Sequence, residues 1–340
     1  MRILIVSDAW HPQVNGVVRT LSAMTAELTA MGHRVEVIGP DRFRTAALPT
    51  YRSIRLALVS RRRVGALIDA FRPDALHIAT EGPLGHAARG WALRRGVAFT
   101  TSFHTRFPEY LHVRLSLPAA WAYAWLRRFH NAGAGTMVAT GSLRRELAAR
   151  GFLRLRAWTR GVDLARFRPG PPPGADDGAA HSRPVFLYVG RVAVEKNLAA
   201  FLSLDLPGTK LVVGDGPQRR ALAQAFPDAR FVGERHGTAL ARSYAEADVF
   251  VFPSLTDTFG LVLLESLASG VPIAAYPVTG PADVLEGAPP GVGALDRDLR
   301  AAALRALETG NAAACRAHAE RFSWRACADG FLASLVRAGT

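Results

Sequence analysis

The sequence predicts an α/β protein built from two doubly wound, Rossmann-like domains facing each other across a cleft, and three observations carry that expectation. Short β-branched apolar runs alternate with longer Ala/Leu/Arg stretches at helical spacing through almost all 340 residues, the pattern of βαβ units that build parallel sheets. The alternation is broken once, at Pro169-Gly-Pro-Pro-Pro-Gly-Ala-Asp-Asp-Gly178, a stretch that supports neither helix nor strand and reads as a linker. Several loops that leave strands carry glycines, cations and carboxylates, and in doubly wound folds ligands bind at those carboxyl ends.

Taken in order, strands are expected at residues 2–7, 34–39, 75–78, 98–103 and 136–140, then at 185–189, 210–213, 230–232, 249–252 and 273–275. The expected organisation is an N-terminal domain over 1–168, a linker over 169–183 and a second domain over 184–315. A closing segment over 316–340 is expected to return by a helix to the first domain. No solenoid-type repeat occurs.

Composition excludes several classes. The 49% hydrophobic content is that of a globular protein, and no stretch approaches the roughly 20 apolar residues of a membrane span. A strand follows Met1 at once, so no secretory signal is read and a cytoplasmic location is expected. The two cysteines, Cys315 and Cys327, give no disulfide framework or metal cluster. Charge is lopsided: residues 1–170 hold 26 Arg/Lys against 10 Asp/Glu, a net of +16, whereas 171–340 hold 16 against 18, a net of −2. A one-sided basic face points to an anionic partner such as a phospholipid surface. None of the recognised nucleic-acid-binding modules is present, and no nucleic acid is expected as partner.

The most informative segment runs from the apolar strand 249–252 through Pro253 and a short polar loop into Phe259-Gly260-Leu261 and a helix. Such a junction aims free backbone amides and the positive end of a helix dipole at one spot, which suits phosphate. Asp257 and Glu265, seven residues between them, bracket it with carboxylates. Amides flanked by carboxylates fit a ligand with phosphates in the middle and hydroxyls at both ends, the shape of a nucleotide sugar. The same residues also fit a helix cap and a solvated helix carboxylate.

Other loops add to this. After the first strand, Asn15-Gly16 permits a tight turn that opens a helix, with no side chain on Gly16 to block a phosphate. His104 follows the strand 98–103, where an imidazole can donate to a sugar hydroxyl. Gly190-Arg191 and Glu195-Lys196-Asn197 follow the first strand of the second half, and Arg191 with Lys196 supplies two cations for a departing diphosphate. Gly214-Asp215-Gly216-Pro217 would shape the nucleotide pocket, and Gly161-Val162-Asp163 reads as a turn at the domain boundary. Neither a full dinucleotide fingerprint nor a P-loop occurs.

Together these segments resemble the retaining glycosyltransferases of family 4, whose architecture is GT-B. The match runs in the family's order over nearly the whole chain, from Pro12-x-x-Asn15-Gly16-Val17 to the stretch 253–272. It looks closest to the GDP-mannose-dependent α-mannosyltransferases and the sulfolipid and glycolipid synthase-type transferases, which share the wording Thr256-Asp257-Thr258-Phe259-Gly260. The resemblance implies that Arg191 and Lys196 clamp the donor diphosphate and that Gly16, Gly190 and Gly214 let it approach. It implies that Thr258 and the amides of Phe259, Gly260 and Leu261 hold phosphate and sugar. Glu265 would take the ribose, Asp257 the sugar hydroxyls, and His104 the sugar near its reacting carbon. Asp257 stands where the family usually has glutamate, and Gln218 replaces a glutamate common after Gly-Asp-Gly-Pro.

The reaction these residues imply is transfer of a mannose- or glucose-type hexose from a nucleoside diphosphate to an acceptor hydroxyl, with retention, by a front-face route in which the diphosphate helps deprotonate the acceptor. No Asp-x-Asp motif stands beside the site, so no cofactor or divalent ion beyond the GDP- or UDP-sugar donor is expected. The acceptor is expected to be a lipid or glycan. Aromatics and arginines mixed through 110–130, with Arg61-Arg62-Arg63, fit an interfacial surface on anionic lipid at the inner face of the plasma membrane, and equally a core helix with a solvated arginine face. A nucleotide-sugar epimerase of the same architecture and a basic nucleic-acid-binding protein are the alternatives.

Overall fold

The computed structural model describes residues 1–13, 15–48, 51–104, 119–170, 182–257 and 259–338, with the side chains of Leu48 and of 51–55 outside that description. Thr258, residues 110–118 of the aromatic-arginine stretch and most of the expected linker lie outside the described residues.

Two compact units are formed. The first comprises Met1–Arg160 with Trp324–Thr340. Its strands are β1 (Arg2–Val6), β2 (Arg34–Ile38), β3 (Thr45–Leu48), β4 (Tyr51–Ala57), β5 (Ala75–Ile78), β6 (Thr100–Phe103), β7 (Gly135–Val138) and β8 (Leu155–Ala157). Six of them form one parallel sheet in the order β2-β1-β5-β6-β7-β8, and β3 with β4 is a separate antiparallel hairpin. β1 is buried on both faces, as a central parallel strand must be. Leu4 and Val6 pack with Val64, Ile68 and Leu84, while Ile3 and Ile5 pack with Leu21, Met24, Cys327 and Phe331.

The second unit is Gly161–Ser323. Its strands are β9 (Val185–Val189), β10 (Thr209–Val213), β11 (Arg230–Gly233), β12 (Val249–Phe252), β13 (Ile273–Ala275) and β14 (Gly293–Leu295), parallel and in the order β11-β10-β9-β12-β13-β14. The chain order reverses between β9 and β12 here and between β1 and β5 in the first unit. Such a switch point opens a crevice at the carboxyl ends of the two strands that flank it.

All ten expected strands are present, most of them shifted by a residue or two at an end. β3, β4, β8 and β14 are additional. β8 and β14 are three-residue edge strands, too short for a periodic signal, and β4 carries Arg52 and Arg55 within its run. The units divide at Arg160/Gly161 and Ser323/Trp324, not at 168 and 316. Hydrogen bonds explain both shifts. Val162 N donates to Phe322 O, and Arg316 Nη1 donates to the carbonyls of Leu164 and Phe167, which keeps 161–168 and the helix Ala312–Ala319 with the second unit. The returning helix is Trp324–Ser334, held in the first unit by Trp158 Nε1 donating to Cys327 O and Arg156 Nη1 to Ser334 O.

In the first unit Asp8 ties the two switch-point loops together. Its carboxylate accepts from Thr80 Oγ1 at 2.9 Å and from the amides of Leu84 and Gly85 at 2.8 and 3.2 Å, at the start of the helix Pro83–Arg95. Burial raises its pKa from 3.8 to about 6, more than the hydrogen bonds lower it. A carboxyl with a raised folded pKa binds its proton more tightly when folded. Its contribution is therefore complete below pH 3.8 and lost as pH rises through 6. At about 1.4 kcal/mol per unit, the loss is about 3 kcal/mol. Urea unfolding of wild type and Asp8→Asn between pH 4.5 and 7.5 checks this: the stability difference should shift in favour of the variant as pH rises, and parallel curves would refute it.

Candidate active site

The loops at the switch point of the second unit hold most of the expected residues. β9 is followed by Gly190, φ 154°, and the next turn is pinned by Tyr188, whose hydroxyl donates to Arg191 O at 2.8 Å. The loop after β10 presses on it backbone to backbone: a Cβ on Gly214, φ 146°, would lie 1.8 Å from Gly190 O. Only glycine fits there. The 3-10 turn Val194–Lys196 ends at Asn197 in the left-handed region, φ 53°, and Asn197 Nδ2 donates to Pro253 O at 3.1 Å, joining this loop to the one that leaves β12.

That joint brings together two residues 61 positions apart: Lys196 Nζ lies 2.5 Å from Asp257 Oδ1, with the side chains 23% and 15% exposed. Asp257 Oδ2 is buried and has no hydrogen-bond partner among the described residues. An orphaned carboxylate oxygen costs about 1–3 kcal/mol or more, so it marks a place that a hydroxyl donor would fill. Arg191 is half-buried on the same loop.

Beyond Asp257, Phe259 is buried and Gly260 takes φ 88° as the N-cap of the helix Leu261–Ala268. Gly260 has no side chain to occupy the first helical amides. The helix Gly16–Ala30 differs, because Asn15 Oδ1 accepts from Val17 N and Val18 N at 3.0 Å each. The expected opening of amides at Gly16 is thus partly taken up by the cap, while the start of Leu261–Ala268 keeps its amides clear of a side-chain cap. Glu265 is not a solvated helix residue. It is 3% exposed, and Tyr244 Oη donates to its Oε2 at 2.9 Å.

His104 stands in the first unit, directly after β6. Its Nε2 is 2.8 Å from Ser102 Oγ and its Nδ1 accepts from Arg160 Nη2 at 3.2 Å. Burial, then the nearby Arg160 cation, holds its pKa well below the usual value of 6.5. The structure thus gathers Gly190, Arg191, Lys196, Gly214 and Asp257 at linked loops of one unit, puts Gly260, Leu261 and Glu265 on the following helix, and leaves Gly16 and His104 in the other unit. Tyr188, Tyr244 and Arg160 went unnoticed in the sequence, where nothing marks a tyrosine 21 residues before Glu265 as its partner.

The family model for Glycosyltransferase Family 4 matches residues 14–166, and that for Glycosyl transferases group 1 matches 183–309. The chain is 32% identical over 314 residues to a GDP-mannose-dependent alpha-mannosyltransferase of Mycobacterium tuberculosis, covering 84% of this chain and 81% of that protein. It is 31% identical over 324 residues to sulfoquinovosyl transferase SQD2 of Arabidopsis thaliana, covering 83% and 60%. Among solved structures, sucrose-phosphate synthase from Thermosynechococcus elongatus superposes with a TM-score of 0.74 at 19% identity over 98% of this chain and 97% of that one. The Anabaena protein HepE, in complex with UDP and glucose, does so at 0.71 and 15% over 98% of each. The fold is GT-B. With both sequence halves matched in order, and a relative of this identity covered over four-fifths of its length, the chain belongs to glycosyltransferase family 4.

Proposed function

We propose that this glycosyltransferase moves a hexose from a nucleoside diphosphate sugar, GDP-mannose or a UDP-hexose, to an acceptor hydroxyl on a glycolipid or cell-envelope glycan, keeping the α configuration. The observation that carries it is the pair Lys196–Asp257 at the β9/β12 switch point, with one carboxylate oxygen left open for a sugar hydroxyl. Arg191 and Lys196 neutralise the departing diphosphate, the uncapped amides after Gly260 receive phosphate, and Glu265 receives the ribose. The name of the Mycobacterium tuberculosis relative supports the donor class. In this reading two cations do the work of a metal, and no cofactor is needed. Neither the epimerase nor the nucleic-acid reading draws support from the relatives.

A thermal-shift panel of GDP, UDP and their sugars, run in EDTA, tests it. One nucleotide series should raise Tm in proportion to the logarithm of its concentration. If none of them raises Tm, the donor assignment fails.

We also place an anionic membrane surface on the first unit. Trp121 and Trp125 are 78% and 46% exposed on the helix Ala119–His130, beside exposed Arg127 and Arg128, while Tyr123, Leu126 and Phe129 face the core. Arg61, Arg62 and Arg63 are exposed at the start of the helix Arg61–Phe71. Aromatic and basic groups on one helix suit a lipid headgroup layer. Among the described residues no helix is long and apolar enough to cross a membrane. At about 1 kcal/mol per arginine, changing Arg61, Arg62 and Arg63 to Gln should weaken binding to phosphatidylglycerol vesicles on the order of 100-fold. Unchanged co-sedimentation would remove the membrane from this reading.

A further inference from the structure

The carboxyl edge of the first unit's sheet holds a cation that the chemistry above does not use. Arg160, three residues beyond β8, is 5% exposed. Its Nη1 donates to the carbonyls of Trp158 and Thr159 at 3.0 and 3.3 Å, its Nη2 donates to His104 Nδ1 at 3.2 Å, and its guanidinium carbon lies 4.3 Å from the Trp158 ring centroid. Among the described residues no carboxylate pairs with it. Burying a guanidinium is costly, and among the described residues it is offset by carbonyls, an aromatic face, an imidazole and the nearby Cys327 thiol. Among the described residues the charge therefore neutralises no acid. It is directed at His104.

Chemistry then fixes the protons. A guanidinium has donors and no acceptor and stays protonated, so His104 Nδ1 must present its lone pair and a neutral ring must carry its hydrogen on Nε2. Ser102 Oγ, 2.8 Å away, receives that hydrogen and in turn can donate to Ala79 O at 3.3 Å. His77 closes the network, with Nε2 3.1 Å from the same oxygen and Nδ1 2.9 Å from Thr100 Oγ1. The other titratable pair nearby is His130 Nε2 with Glu81 Oε1 at 3.0 Å. Protonating His104 at Nδ1 would set two N–H groups against each other and place a second charge beside a buried first.

We infer that Arg160 is a positioning residue for His104, holding the imidazole in one orientation, uncharged and in the Nε2–H tautomer, so that the one ring hydrogen it can offer a ligand is the Nε2–H it shares with Ser102. This rests on the reading of His104 as a contact to the donor sugar. Arg160 itself touches no substrate.

Long-range proton–nitrogen spectra of the full chain labelled with nitrogen-15 histidine test it, with His104 assigned from the signal lost in His104→Gln. Wild type should show His104 as the Nε2–H tautomer, titrating only well below 6.5. Arg160→Gln, whose amide still donates to Nδ1 but carries no charge, should keep that tautomer while the midpoint rises toward 6.5. Arg160→Leu should lose the single tautomer, and if it does not fold, wild type and Arg160→Gln decide. An Nδ1–H ring in wild type, or the same midpoint in wild type and Arg160→Gln, overturns the inference. The underlying reading is tested separately: an unchanged KM for GDP-mannose, or for UDP-glucose if the panel selects it, in His104→Gln would sink the donor contact and leave the tautomer result standing.

Discussion

Lys196→Met is expected to lower kcat roughly 100- to 1000-fold, the cost of removing one preorganised group that stabilises developing charge. In glycosyl transfer that charge grows on the departing diphosphate, and Lys196 stands beside Asp257 on a loop locked by Asn197 and Tyr188, so it needs little reorganisation as the bond breaks. The substitution also leaves both oxygens of Asp257 without a partner among the described residues, and stability should fall by about 1–3 kcal/mol. Lys196→Arg keeps the charge and should recover part of the rate. Steady-state kinetics beside a urea curve separate the two effects. A kcat within threefold of wild type would remove Lys196 from the leaving-group role.

Glu265→Gln is expected to abolish the Tm rise given by the nucleotide and to weaken its binding roughly 10- to 150-fold, as when hydrogen bonds to a charged group worth about 1.5–3 kcal/mol are lost. Stability should change less, because the amide can still accept from Tyr244 Oη in the pocket that buries it. Tyr244→Phe leaves the carboxylate in place and removes this one hydrogen bond, and its effect on binding should be smaller than that of Glu265→Gln. Calorimetry with GDP or UDP reads both. Equal affinity in wild type and Glu265→Gln would refute the ribose role.

The residues that proved legible share a local cause. Apolar periodicity reports which face of a short segment is buried, so β6, β9 and β12 could be read directly, and with them the loops carrying His104, Lys196 and Asp257. Gly190 and Gly214 were legible as glycines in strand-leaving loops, though only the structure shows that the two backbones touch. Where burial depends on partners distant in the chain, the signal was absent. The hairpin β3–β4 and the edge strands β8 and β14 hold too few alternating residues to stand out, and Arg160 reads as one more arginine in a chain with 42 basic residues. The aromatic-arginine helix was ambiguous because both readings are partly right: Tyr123 and Phe129 are core, whereas Trp121 and Trp125 are not.

By itself the sequence determined the element types, the parallel α/β class and the chemical groups available, because those follow from side-chain size, polarity and spacing along the chain. Which groups act together was decided by tertiary structure. Sheet order sets β9 directly against β12, although β10 and β11 lie between them in the chain, and that contact gives Lys196 its carboxylate. The same holds for Tyr244 with Glu265 and for Arg160 with His104, pairs separated by 21 and 56 residues. A hydrogen bond requires about 3 Å, a distance that strand pairing and helix docking create and that no local pattern encodes.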